Sequence, residues 1–99
     1  MAMSMAGAWD FSSLTPEKMP PEVEEGLKAI KKEGFVGSVI EPVKYLGQQV
    51  VNGINYAVLA KVTPTTLYPQ THLSVIEFNQ KRVKNEVKYK IVKSVEIHL

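Results

Sequence analysis

Apolar positions recur along this chain with two periods. Met19, Val23, Leu27 and Ile30 return every three or four residues, the spacing of one helical face. Pro20-Pro21-Glu22 supplies a helix start, and Thr15-Pro16-Glu17 supplies an earlier one. Lys28, Lys31 and Lys32 place cations near the helix's negative dipole end, and Gly34 stops it. The pattern predicts a helix of about 13 residues, roughly 20 Å long. Gly26 inside it costs about 1 kcal/mol relative to alanine. A glycine there points to a sheet crossing the helix closely.

Beyond the helix the period falls to two. Phe35, Val39, Val43 and Tyr45 share one phase, while Val36 and Ile40 fall on the other. Apolar residues on both phases, together with Pro42, indicate a bulge that shifts the register. Ile54, Tyr56, Val58, Ala60 and Val62 alternate with Asn55, Ala57, Leu59 and Lys61, which predicts a strand with one buried face. It ends at Pro64. Leu73 and Val75, then Ile76 and Phe78, predict a strand with a phase flip. In the last strand Val87, Tyr89, Ile91, Val95, Ile97 and Leu99 occupy one face, and only Lys93 interrupts the row.

The order predicts an α+β fold. One N-terminal helix packs across an antiparallel sheet of four to five strands. Residues 1–13 read as a flexible trunk carrying a short edge strand over residues 8–13, and residues 14–99 as a single domain. Between the first two long strands stands Gln48-Gln49-Val50-Val51-Asn52-Gly53. Asn-Gly tolerates positive φ at both central positions of a type I′ turn, so it predicts a tight hairpin. Val50 and Val51 are adjacent and point to opposite faces, so at least one lacks core to cover it. An exposed apolar tip on a rigid hairpin is a candidate wedge for a partner's cleft. A second tip is expected over residues 79–86, at the same end of the sheet.

Composition narrows the options. Ninety-nine residues with 44% hydrophobic content suit one globular domain with a modest core. The absence of cysteine excludes disulfides, thiolate metal sites and a thiol nucleophile. No basic and apolar leader opens the chain, and no segment approaches membrane-spanning length. The net charge of +2 is too small to imply a polyanion. Charge is nonetheless uneven, with six Lys or Arg and only Glu86 as an acid between Lys81 and Lys93. Such a run either keeps an edge hairpin solvated or steers an acidic partner. Residues 79–88 hold no aromatic, so a base-stacking platform for nucleic acid is not expected.

Gln49, Val51 and Gly53 match the Gln-x-Val-x-Gly signature of the cystatin family, which this chain resembles. Val43-Lys44-Tyr45, Asn55-Tyr56 and Thr71-His72-Leu73-Ser74-Val75 look like the stefins, the intracellular branch without disulfides. The likeness covers about residues 20–99. It implies a reversible inhibitor of papain-like cysteine proteases, cytoplasmic and not itself an enzyme. In that family the trunk and two hairpin loops form one wedge. The trunk glycine corresponds to Gly7, and the first loop to Gln49, Val50, Val51, Asn52 and Gly53. The second loop corresponds to Asn79, Gln80, Lys81 and Arg82. Here it lacks the Leu-Pro-Gly of stefins, which implies a weaker or electrostatic contact. Gly7 also stands without the paired glycine common in the family.

Other chemistry finds little support in the residues. His72 and His98 are the only histidines and have no acid at ligand spacing, so no metal and no cofactor are expected. Asp10 is the only aspartate and lies in the trunk, which argues against a Ser-His-Asp arrangement. Trp9 reads first as a core or edge anchor. An alternative function is a non-inhibitory scaffold of the same fold, using the basic C-terminal hairpin on an acidic partner. The expected assembly is a monomer, with a domain-swapped dimer arising if the first hairpin opens.

Overall fold

The computed structural model describes residues 10–97. Helix α1 (Pro21–Gly34) is followed by strands β1 (Ser38–Val51), β2 (Gly53–Pro64), β3 (His72–Val83) and β4 (Glu86–Glu96). The four strands form one antiparallel sheet in sequence order. The helix covers one face of it, giving an α+β fold consistent with a cystatin-like arrangement.

Of the two helix-start signals only the second is used. Pro20 caps the helix, and its carbonyl accepts the N–H groups of Val23 (3.0 Å) and Glu24 (3.1 Å). A helix begun at Thr15 would carry both prolines in its interior, where each removes a donor and clashes with the preceding turn. At the other end Gly34 is the last helical residue, not the stop. The helix closes on Phe35, whose N–H donates to Lys31 O at 3.1 Å.

The apolar stripe of α1 packs where its spacing predicts. Met19, Val23, Leu27 and Ile30 are buried against Tyr56, Val58, Ala60, Val62, Ile76 and Phe78. Gly26 lies directly over the Phe78 ring, which fills the place a side chain would take. Four aromatic rings line up across the sheet beneath the helix. Tyr45–Tyr56, Tyr56–Phe78 and Phe78–Tyr89 have centroids 6.4, 5.5 and 6.1 Å apart.

Bulges set the phases of the outer strands. In β1 the register against β2 shifts between Pro42 and Lys44, as the proline signals, and again between Tyr45 and Gly47. The β3–β4 register shifts once. Phe78 pairs with Ile91 but Glu77 pairs with Lys93, leaving Val92 as the extra residue. The single apolar face expected for β4 is therefore corrected. Tyr89 and Ile91 pack against the core, whereas Val95 pairs with Val75 on the face away from the helix and is half exposed. Lys93 interrupts nothing, because the bulge turns it outward to reach Glu77 at 3.7 Å.

The expected edge strand over residues 8–13 is not formed at its described residues. Asp10 Oδ1 accepts the N–H of Ser12 (2.9 Å), and Phe11 O accepts that of Leu14 (3.0 Å), so residues 10–14 make consecutive turns. The same bond to Ser12 holds the Asp10 carboxyl below the ordinary range. Lys61 Nζ reaches Leu14 O at 2.6 Å, tying this segment to the sheet. The free side of β4 is obstructed. Glu33 of the helix accepts the N–H of Ile91 at 3.3 Å, next to the bulge and among lysines. Among the described residues no helix is long and apolar enough to cross a membrane.

Candidate functional site

The β1–β2 and β3–β4 turns sit at the same end of the sheet, as the meander requires. Between Lys44 and Lys61 the chain carries no charge, so the whole first hairpin is neutral. Val50 is 78% exposed and Val51 is 44% exposed, which leaves both valines available at the tip.

The turn itself differs from the type I′ expectation. Val50 pairs with Ile54, so Val51, Asn52 and Gly53 form a three-residue loop. Positive φ falls on Gly53 alone, at 97°, the pattern of a loop that ends in a glycine bulge. The hairpin with two positive φ values is the second one, at Lys84 (50°) and Asn85 (66°). Strand pairing decides this difference. It fixes how many residues remain to turn the chain, and the turn type follows from that number.

Gly53 is required twice over. Its φ disfavours any side chain, and a Cβ there would collide with Gln80 O of β3. Asn79 braces the same loop. Its Nδ2 donates to Asn55 Oδ1 at 2.9 Å and to Asn52 O at 3.3 Å. On the helix side Tyr56 O–H donates to Gln80 Oε1 (3.3 Å), and Gln80 Nε2 donates to Tyr89 O–H (3.2 Å). Tyr45 O–H donates to Gln48 Oε1 at 3.2 Å. Burial, and then the charge of Glu22, raise the Tyr56 phenol above its ordinary value, so it stays a donor at neutral pH.

These contacts correct the expected second loop. Asn79, Gln80, Lys81 and Arg82 all lie within β3, and the chain turns farther on, at Lys84–Asn85. Asn79 and Gln80 support the first hairpin from beside it. Lys81 and Arg82 lie on the part of β3 that pairs only with β4, with Lys81 opposite Lys88 and Arg82 opposite Val87. The brace at Asn79 escaped the sequence reading, although Asn55 and Asn79 both fall on polar phases of their strands. Gly7, Trp9 and His98 lie outside the described residues.

A shallow recess of about 240 Å³ opens behind the first hairpin, lined by Leu46, Gly47, Gln49, Asn55, Ala57 and Glu77. Among the described residues no three His, Cys, Asp or Glu side chains stand together as a metal site. Compared with known proteins, the chain matches no family model, no curated sequence and no solved structure.

Proposed function

We propose that this protein is a reversible, competitive inhibitor of papain-like cysteine proteases, acting as a cytoplasmic monomer and not as an enzyme. One observation carries the reading: two exposed valines on a neutral, braced hairpin loop within Gln49, Val50, Val51, Asn52 and Gly53. Full burial of a valine-sized side chain in a protease cleft contributes roughly 1.5–3 kcal/mol. The brace from Asn79 and the close approach of Gly53 to Gln80 hold the loop before docking, so little ordering remains to oppose association. The tip is a tight turn packed on β3, and threading it through a catalytic centre as an extended substrate would break those contacts. Inhibition without cleavage follows from that geometry.

The test is titration of papain with the purified monomer, following hydrolysis of a small fluorogenic peptide. Stoichiometric, reversible inhibition is expected. Val51→Asp removes apolar contact and places a carboxylate in the cleft, so affinity should fall at least roughly a hundredfold. Inhibition retained in that variant, or none from the wild type at micromolar concentration, refutes the reading.

A further inference from the structure

The second hairpin extends past the first. Ile54 pairs with Gln80, so continuing the register sets Asn52 level with Arg82. The chain then runs on to turn at Lys84–Asn85. Two further residues of strand carry this hairpin about 7 Å beyond the apolar tip. Anything that receives Val50 and Val51 must therefore lie alongside the overhang.

The overhang is cationic in a way the fold does not need. Lys81 pairs directly with Lys88, and Lys90 pairs with Asn79 on the same face of the sheet. Like charges opposite each other across strands destabilise a hairpin. The acids on that face are Glu77, which reaches Lys93, and Glu86, which pairs with Val83 at the turn. Arg82 and Lys84 add two more cations at the tip. Lysines that only solvate an edge could alternate with acids, as Glu77 and Lys93 do one bulge away.

We infer that the β3–β4 overhang docks against an acidic flank beside the cleft that the first hairpin enters, and so selects target proteases whose cleft rim carries carboxylates. The inference rests on the inhibitor reading and adds target selection to it. Charge complementarity at the rim speeds encounter and is weakened by salt. Three or so lysines without an aromatic favour carboxylates of a protein surface over a nucleic acid.

The test compares association rates with two papain-type proteases, one acidic and one basic at the rim, at 25 and about 400 mM NaCl. The variants are Lys81→Glu/Lys88→Glu, which exchanges one like-charge pair for another, and Lys18→Glu/Lys31→Glu, which changes the net charge equally at a distance. Wild type should bind the acidic-rim enzyme faster, and salt should slow it. The first variant should reverse the preference by at least about tenfold, and the second should keep it. Equal shifts in both variants, or none in either, overturn the inference while leaving the inhibitor reading intact. If neither protease is inhibited, the inhibitor reading fails. Retention on immobilised polyglutamate then decides whether the overhang takes acidic chains. Loss in the first variant alone supports it, and equal elution of both variants overturns it.

Discussion

Gly26→Ala sets helix propensity against packing. Alanine at an interior helical position gains about 1 kcal/mol over glycine. Against this, the added methyl meets Cε2, Cζ and Cδ2 of Phe78. That ring is fully buried and flanked by Tyr56 and Tyr89 at 5.5 and 6.1 Å, so it has no free direction in which to move. Overpacking of this kind costs typically 1–3 kcal/mol, and overlap with three ring carbons belongs at the upper end. The net effect is a loss of about 1–2 kcal/mol. For a domain of this size that lowers the melting temperature by roughly 5–10 °C. Urea unfolding of both proteins, with the slope compared to confirm an unchanged transition, measures it. A variant as stable as wild type or more stable would show that propensity wins and that α1 can lift from the sheet without penalty.

Three further perturbations probe the hairpin edge. Asn79→Ala removes both bonds to the first loop, so we expect a loss of about 1 kcal/mol and faster amide exchange at Asn52 and Gly53. Unchanged exchange there would show that Asn79 braces nothing. Lys81→Glu converts a repulsive cross-strand pair into an attractive one, and should raise stability by about 0.5–1 kcal/mol even as it weakens docking; a lower melting temperature would contradict the pairing. Tyr56 has its pKa raised by burial, then by Glu22 and by Tyr45 and Tyr89, so above pH 10 the unfolded chain loses that proton before the folded one does. The stability advantage of wild type over Tyr56→Phe should therefore hold up to about pH 10 and shrink above it, and a gap independent of pH would exclude this linkage.

The elements legible in the sequence are those where one signal dominates. The α1 stripe, the alternating face of β2 and the Pro42 bulge each follow from spacing or from proline's missing donor. The Val92 bulge was present as Ile91-Val92, two adjacent apolar residues ahead of Lys93, but alternation alone counts such a pair as an interruption. The second turn was placed too early for a related reason. Residues 79–84 are polar on both phases, and polarity does not say where a strand ends when only its neighbour supports it. The exposed valines were legible because adjacency forces them onto opposite faces. Their brace was not, because Asn79 reaches Asn52 only through a register that sequence spacing leaves open.

The obstruction along β4 also sets the arithmetic of self-association. A sheet with two open sides can lengthen without limit, since each added copy presents a fresh template. Here Glu33 occupies the Ile91 donor, and Val92 throws the strand out of step. Backbone pairing is left with the β1 side alone, and a second copy joined there β1 to β1 presents only its own obstructed β4 outward. Stacking by strand addition therefore terminates at two copies, a built-in stop against fibre growth.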